Sequence, residues 1–212
     1  MNDLSGVRTH FILAYSGCDE DVGEAALSSG GPNGLVASNN GYDWLGTGIY
    51  FWESDPARAY QWAEEAKIRH QKRFERDRTP IRVRRPFVVG AVINLLNCLD
   101  LTTTEGVNLV REGHMAFEAS VRELQAANPA IDMPSNTADE DMKGRYLDFQ
   151  VINYTCQEYA KKNKKPIDTV RGVFTEGKAV YAGAGFREKT HTQISVREPN
   201  RAILGYFRVP KP

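Results

Sequence analysis

The residues with the clearest chemical potential lie in one glycine-rich stretch, Gly46-Thr47-Gly48-Ile49-Tyr50-Phe51. Glycines allow a backbone to approach a ligand closely, because they carry no side chain. Tyr50 follows the second glycine by two residues and offers a flat apolar ring and one hydroxyl. This combination suits a planar aromatic ligand such as a nicotinamide or a base. The alternative interpretation is a glycine turn that leads into a buried aromatic strand.

Two other segments place small or polar residues at the ends of predicted strands. Tyr15-Ser16-Gly17 closes an apolar run near the start of the chain, and His191-Thr192-Gln193 opens an alternating segment near its end. The chain has no P-loop, GxGxxG, HExxH or GxSxG signature, and its Cys and His residues lack metal-ligand spacing. We therefore expect no metal site, and we expect these three segments to carry the chemistry.

The composition is that of an ordinary globular protein. The chain has 212 residues, and 27 Lys and Arg balance 27 Asp and Glu, so the formal net charge is zero. This length predicts a single domain, spanning residues 1–212, with a substantial core. No overall charge bias points to nucleic acid or membrane, so any such surface must be local.

The sequence also bears on the compartment. Cys18, Cys98 and Cys156 are widely spaced, odd in number and flanked by apolar residues, which favours core thiols in a reducing environment. The N-terminus has no apolar signal segment, and no apolar run approaches the roughly 20 residues needed to span a bilayer. We expect a cytoplasmic protein, although export by a dedicated machine is compatible with these features.

The predicted elements place strands at both ends of the chain and helices between them. The apolar runs 11–15 and 87–96 predict buried strands, and a helix capped by Ser54 extends to about residue 74. Further helices form a helical middle, about 103–165. Later strands are predicted at 169–175, 178–182, 190–197 and 202–209. This order favours an α+β fold over a repeated βαβ array.

One segment departs from the neutral average. Between residues 67 and 85, basic side chains far outnumber the acidic Glu75 and Asp77. The basic residues are Lys67, Arg69, Lys72, Arg73, Arg76, Arg78, Arg82, Arg84 and Arg85. Cations are favourable near helix C-termini, which explains part of the run. The run continues past Pro80 into the next strand, and this is also typical of a phosphate-binding surface.

Together the three motif segments resemble the ADP-ribosyltransferase superfamily, particularly its diphtheria-toxin and poly(ADP-ribose)-polymerase-like branch. In that branch a first strand ends in His-Gly, a second begins with Gly-x-Gly-Ile-Tyr-Phe, and a third carries a Glu. The segment 45–51 closely matches the second motif. Ser16 stands where the branch has histidine, and Gln193 stands where it has glutamate. The middle of the chain resembles the family only in its order of elements.

The resemblance implies an ADP-ribosyltransferase-like split β-sheet core with flanking helices, and NAD as co-substrate without a metal. In that fold NAD binds in a cleft between two small sheets. Gly17 would hold the nicotinamide amide through its backbone, and Tyr50 would stack on the nicotinamide ring. The other cofactor-binding residues implied by the match are Tyr15, Ser16, Gly46, Gly48, Ala59 and His191. Arg171 and Arg187 are candidates for binding the pyrophosphate, with surface ion pairs as the alternative.

Cleavage of the nicotinamide–ribose bond develops an oxocarbenium-like cation, which an enzyme must orient and stabilise. Ser16 and Gln193 can hydrogen-bond ribose hydroxyls, but neither brings a negative charge. Glu176 precedes the third-motif strand, where this superfamily places a substrate-recognition loop, and we nominate it to supply the missing carboxylate; a turn acid is the alternative. His10 and His191 can orient a ribose or act as a base, with structural histidines as the alternative.

The resemblance implies a mono-ADP-ribosyltransferase that cleaves NAD, releases nicotinamide and modifies a macromolecule. Glutamine in place of glutamate fits single transfer better than polymerisation. The basic residues Arg82, Arg84 and Arg85 favour RNA as the acceptor. A small stand-alone transferase of this kind resembles a bacterial toxin or phage-defence effector, which an antitoxin or inhibitor protein would control. Two alternatives stay open: a non-catalytic module that binds NAD or ADP-ribose, and an NAD glycohydrolase.

Overall fold

The computed structural model describes residues 11–29, 34–137 and 144–210. In these residues the elements, in chain order, are β1 (Phe11–Asp19), α1 (Glu20–Ser29), β2 (Ile49–Glu53), α2 (Pro56–Asp77), β3 (Pro86–Asn94), β4 (Cys98–Asp100), α3 (Thr104–Ala127), α4 (Tyr146–Asn163), β5 (Thr169–Phe174), β6 (His191–Val196), α5 (Pro199–Ala202) and β7 (Ile203–Arg208). The strands form one mixed sheet, and the predicted α+β class is confirmed.

The strand order β4-β5-β6-β2-β1-β3-β7 places the first two motif strands, β1 and β2, side by side within the sheet. β1 pairs with β3 along its whole length. In contrast, β1 and β2 share only two Cα pairs, Ala14–Glu53 and Tyr15–Trp52. The sheet therefore divides into a β1-β3-β7 half and a β4-β5-β6-β2 half, which a very short ladder joins.

Apolar side chains pack on both faces of the sheet. Ala14 and Phe51 lie on the face that packs against Ala26 of α1, and we call it the α1 face. Tyr15 and Trp52 lie on the opposite face, which we call the α2 face because α2 covers it near the β1–β2 junction. Farther along the α2 face, α4 packs on the β4–β5 part of the sheet. The two helices leave the residues of β2 and β6 between them.

The sequence explains why α2 packs closely on the sheet. Asp55 caps the helix, because its Oδ1 accepts a hydrogen bond from the Arg58 N–H at 2.8 Å. The predicted cap at Ser54 is wrong by one residue, since Ser54 has a φ of 55° and belongs to the preceding turn. A buried stripe of small residues faces the sheet, comprising Ala59, Ala63 and Ala66. These side chains allow the helix axis to approach β1.

One strand prediction is wrong, and one strand was not predicted. The segment 178–182 is predicted to be a strand, but its described contribution to pairing is an isolated bridge between Ala179 and Arg187. Residues 178–182 are all exposed, so no buried face stabilises a strand there, and Gly183 turns the chain with a φ of 81°. The sequence did not indicate β4, because three residues are too few to show an alternating pattern.

The cysteines and helices bear on the predicted compartment. Cys18 and Cys156 are buried, Cys98 is half-buried, and all three are free thiols. Burial raises the pKa of Cys18 and Cys98 to about 12 and that of Cys156 to about 11. These thiols therefore behave as core residues, as predicted. Among the described residues, no helix has the length and apolarity needed to cross a membrane.

Candidate functional site

The break between the two halves of the sheet lies at Gly17. The carbonyl of Leu13 accepts a hydrogen bond from the Ser54 N–H at 3.0 Å, so the peptide groups of Leu13 face β2. Peptide groups along an antiparallel strand alternate between its two neighbours, and those of Gly17 therefore face β2 as well. The ladder has already ended at Tyr15–Trp52. Gly17 thus presents its N–H and C=O to the gap between β1 and β2.

Gly17 also contacts α2. A Cβ at this position would lie 2.3 Å from the Ala59 carbonyl oxygen and 3.2 Å from Trp62 Cε3. Any larger residue would push the helix off the sheet, so the packing itself requires glycine. Ala59 is fully buried in this contact. Tyr15 lies on the same face, and its ring packs edge-on against Phe207 at a centroid distance of 5.9 Å.

Ser16 lies on the other side of the strand. It alternates with Gly17, so its buried side chain shares the α1 face with Ala14 and Cys18. Tyr50 and Gln193 lie on the α2 face. The predicted contact between the Ser16 hydroxyl and a ribose therefore has no geometric support on the face where the other predicted residues meet.

The glycine-rich stretch forms a turn that its own tyrosine closes. The Tyr50 hydroxyl donates to the Gly46 carbonyl at 2.8 Å and accepts from the Leu45 N–H at 3.0 Å. Burial and the nearby Asp43 carboxylate raise the pKa of Tyr50, so it stays a phenol. The expectation that this hydroxyl is offered to a ligand is corrected, because it is engaged within the turn. The stacking role of the ring stays a prediction.

The two glycines of this turn approach protein atoms. A Cβ at Gly46 would lie 2.8 Å from Asn153 Oδ1 of α4, and a Cβ at Gly48 would lie 2.2 Å from Ser195 Oγ of β6. The Thr47 N–H donates to the same Asn153 oxygen at 3.1 Å. The close approach that the sequence suggests for a ligand is thus made to α4 and β6. A cofactor contact by Gly46 or Gly48 stays a prediction.

Gln193 lies at the centre of the α2 face. It pairs with Trp52 of β2 on one side and with Gly172 of β5 on the other. Its Oε1 accepts a hydrogen bond from Trp44 Nε1 at 2.7 Å. Because an indole N–H can only donate, the amide oxygen must face Trp44, and the amide NH₂ is the group directed elsewhere. Gln193 therefore acts as an oriented, uncharged donor.

His191 is the buried neighbour of Gln193 on β6. Its Nδ1 lies 2.6 Å from the carbonyl oxygen of Lys189, and a carbonyl only accepts, so Nδ1 carries the proton. Burial lowers the pKa of His191, and Arg58 lowers it further. The ring is therefore neutral at pH 7, with a lone pair on Nε2. The imidazole centroid lies 6.0 Å from that of Trp52.

Glu176 forms a buried ion pair with Arg58. Nη2 of Arg58 lies 2.9 Å from Oε2 of Glu176, and the two side chains are 7% and 11% exposed. The guanidinium also lies 5.9 Å from the centre of the Trp52 ring. Sequence reasoning nominated Glu176 but missed Arg58. The helical spacing of four from Arg58 to Trp62, and again to Ala66, was the available signal that Arg58 faces the sheet.

A second arginine, Arg145, lies against two aromatic rings near Gln193 and His191. Trp44 and Phe174 pack together with ring centroids 5.2 Å apart. The Arg145 guanidinium lies 5.6 Å from the Trp44 ring and 5.7 Å from the Phe174 ring. We call Trp44, Trp52 and Phe174 the aromatic wall. Sequence reasoning singled out none of its members, because each contact joins distant parts of the chain.

Two other predicted residues are engaged elsewhere, and one is outside the described residues. Arg171 lies on the α1 face, where its Nε donates to Glu53 at 2.6 Å and its Nη1 donates to Asp100 at 3.1 Å. This is the ion-pair alternative, and it replaces the pyrophosphate role. Arg187 donates to the Gly177 carbonyl at 3.1 Å. His10 lies outside the residues that the structure describes.

The predicted basic surface is uneven. Arg82 and Arg84 are exposed, whereas Arg85 forms ion pairs with Glu20, at 3.1 Å, and with Asp21. The pKa of His70 in α2 responds to the positive charges around it. Burial lowers its pKa, and the cations of Arg69, Arg82 and Arg73 lower it further. Arg69, Arg73 and Arg82 are therefore the cations that act on His70. Ion pairs with Glu65 at 3.7 Å and Asp77 at 3.9 Å partly neutralise Arg69 and Arg73, as Glu20 and Asp21 do for Arg85.

Comparisons with known proteins do not assign this site. No protein-family model matches the chain, and no curated protein or solved structure matches it significantly. Among the described residues, no group of three or more His, Cys, Asp and Glu side chains is arranged to hold a metal ion.

Proposed function

We propose that this protein is a mono-ADP-ribosyltransferase that cleaves NAD, releases nicotinamide and transfers ADP-ribose to a macromolecule. The observation that carries the proposal is the gap at Gly17, where one residue presents an N–H and a C=O in the same direction. A primary carboxamide offers the complementary C=O and NH₂. The nicotinamide amide would pair with Gly17, beside the rings of Tyr15 and Trp52.

The short β1–β2 ladder supports the finer fold proposal, an ADP-ribosyltransferase-like split sheet. In such a core the cofactor lies where the two halves separate. Here that position lies between β1 and β2, next to α2, and β6 pairs with the other edge of β2. The elements that the resemblance requires at the cleft are therefore neighbours in this fold.

The proposed chemistry needs a negative charge near the reacting ribose. Glu176 and Asp55 both lie close enough to His191 to raise its pKa against the larger effect of burial, and we assign the role to Glu176. Its ion pair with Arg58 holds it in one place, and preorganised charge stabilises a developing cation most effectively. Gln193, oriented by Trp44, would contribute a hydrogen bond to a ribose hydroxyl.

The acceptor in this proposal is RNA, bound by the exposed Arg82 and Arg84 beside the basic end of α2. An enzyme that spends NAD to modify RNA in the cytoplasm would act as a bacterial toxin or phage-defence effector under the control of an antitoxin; this part rests on the family analogy. Two observations favour a second candidate, a non-catalytic NAD-binding module: Gln193 is uncharged, and Glu176 is already paired with Arg58.

Two labels on NAD test the proposal. One batch of NAD carries the label in nicotinamide and the other in the adenylate, and each is incubated with the protein, with and without RNA. We expect nicotinamide release and adenylate label on the RNA, and both should fall by at least tenfold in Glu176→Gln. Glu188→Gln, an exposed acid of the same segment, is the matched control.

The other outcomes select between the alternatives. Nicotinamide release without labelled RNA or protein would identify a glycohydrolase. NAD binding without release would identify a binding module. The absence of both NAD binding and nicotinamide release would overturn the proposal entirely.

A further inference from the structure

Four polar atoms around Trp52 have no hydrogen-bond partner within the described part of the chain. They are Trp52 Nε1, Arg58 Nε, Arg58 Nη1 and His191 Nε2. Trp52 is 3% exposed, and Arg58 and His191 are each 7% exposed. Buried polar groups are nearly always hydrogen-bonded, because a buried group without a partner destabilises the fold. A polar occupant at this place would supply the missing partners.

The three side chains lie close together on the α2 face. The Arg58 guanidinium lies 5.9 Å from the Trp52 ring centre, and the His191 ring lies 6.0 Å from it on the β6 side. They come from three different elements, α2, β2 and β6. Arg58 is also fixed by Glu176, so its remaining N–H groups keep a defined direction.

The chemistry of these atoms restricts what binds them. The indole and guanidinium nitrogens only donate, whereas Nε2 of the neutral His191 accepts, because Nδ1–H is committed to the Lys189 carbonyl. An occupant must therefore accept from Trp52 and Arg58 and donate to His191. A hydroxyl group does both. A phosphate oxygen at neutral pH only accepts, so it would leave the lone pair of His191 Nε2 without a donor.

We infer that Trp52, Arg58 and His191 bind the adjacent hydroxyls of a ribose. Two hydroxyls offer enough lone pairs for the three N–H groups and supply the proton that Nε2 accepts. The inference rests on the proposed function for the identity of the sugar, since both NAD and an RNA terminus carry this diol. The site also accounts for Ser16: the sugar contact is made from α2, β2 and β6, and the side chain at position 16 on β1 is not needed for it.

Calorimetric titration of the full chain tests the inference. The probes are ADP-ribose, ADP, and two short RNAs, one with a 3′-terminal diol and one with a 2′,3′-dideoxy end. Trp52→Phe keeps an aromatic ring and removes the Nε1–H. His191→Asn keeps a donor near the Nδ1 position and removes Nε2. Urea unfolding of both variants verifies that they are folded, and each variant serves as an independent test if the other fails to fold.

We expect both variants to bind the ribose-bearing probe about tenfold more weakly. If the variants lose affinity for ADP-ribose alone, the site binds the ribose next to the scissile bond. If they lose affinity for ADP equally, the site binds the adenosine ribose. If the variants lose affinity for the diol RNA but not for the dideoxy RNA, the site binds the 3′-terminal ribose of the acceptor. Each of these results supports the diol site.

Unchanged affinity for every probe would mean that water alone occupies these atoms, and it would overturn the inference. The inference would also be overturned, in favour of an anion site, by the following result: inorganic pyrophosphate competes with the ribose-bearing probe, and Trp52→Phe weakens the binding of both to the same extent. The two proposals fail separately. If the variants weaken ADP-ribose binding but the wild type releases no nicotinamide, only the proposed transferase activity is overturned. If nicotinamide release is normal and the variants do not change binding, only the diol site is overturned.

Discussion

Arg58 and Glu176, which are 118 residues apart in the chain, form a 2.9 Å hydrogen bond between Nη2 and Oε2 in the protein interior. Arg58 belongs to the first turn of α2, above the β1–β2 junction, whereas Glu176 follows β5 in the other half of the sheet. The ion pair therefore spans the place where the sheet divides. A buried pair of this kind stabilises a fold only while both partners are present, because a single buried charge is costly.

Glu176→Gln should destabilise the protein by about 3 kcal/mol, because it leaves the buried Arg58 cation without its counter-ion. Replacing both partners, in Arg58→Met with Glu176→Leu, should cost less than Glu176→Gln alone, because no unpaired charge is left. Urea unfolding measures both free energies. A double variant less stable than either single variant would contradict this account, and the exposed Glu188→Gln should stay within about 0.5 kcal/mol of the wild type.

His191 should make stability depend on pH. Its folded-state pKa is lowered, first by burial and then by Arg58, against the opposing effects of the Lys189 carbonyl, Glu176 and Asp55. The unfolded chain therefore binds the proton more readily, so the contribution is fully present above the ordinary pKa of about 6.5 and is lost as pH falls toward the folded-state pKa.

The measurement is the urea midpoint at pH 7.5 and at pH 5.5. We expect a lower midpoint at pH 5.5, and a smaller difference between the two values in His191→Asn. His70, whose pKa is also lowered, contributes in the same direction, so His70→Asn should remove a separate share. Identical pH dependence in the wild type and in His191→Asn would contradict the assignment of a neutral, buried imidazole.

Gly48→Ala should destabilise the protein by about 1–3 kcal/mol through overpacking. The new Cβ would lie 2.2 Å from Ser195 Oγ and 2.8 Å from the Val196 carbonyl oxygen, and this backbone cannot move without disturbing β6. Gly205→Ala in β7 is the matched control, because no atom lies within 4 Å of its Cβ position. Thermal unfolding of both variants measures the difference in stability. Equal melting temperatures would contradict the prediction and show that the turn at Gly48 accommodates a Cβ by a small shift.

The elements were predictable where the signal is local. The Asp55–Pro56 start of α2, its alanine stripe and the apolar runs of β1 and β3 are all encoded by neighbouring residues. The hairpin of β5 and β6 also brings Glu176 and Gln193 into one region, because the two strands follow each other in the chain. The family resemblance nominates these two residues, and their proximity follows from the order of β5 and β6 along the chain.

The remainder of the site depends on contacts between distant segments. Trp44 reaches Gln193 across 149 residues, and Thr47 reaches Asn153 across 106 residues. Periodicity specifies which face of an element is apolar, but it does not specify which strand lies beside which. For this reason the sequence predicts ligand contacts for the glycines of the 46–48 turn, whereas their observed neighbours are α4 and β6. For the same reason the sequence does not predict the aromatic wall.

The proposed RNA surface predicts a specific dependence on salt. For single strands, the slope of log affinity against log salt is about −0.7 per neutralised phosphate, so Arg82→Gln with Arg84→Gln should make the slope shallower by about 1.4. Arg85→Gln should change it less, because Glu20 and Asp21 already neutralise Arg85. Arg122→Gln, an exposed arginine of α3 paired with Glu118, is the control. Fluorescence titration of labelled RNA over a range of salt concentrations measures the slopes; equal slopes in all four proteins would mean that RNA, if bound, uses another surface.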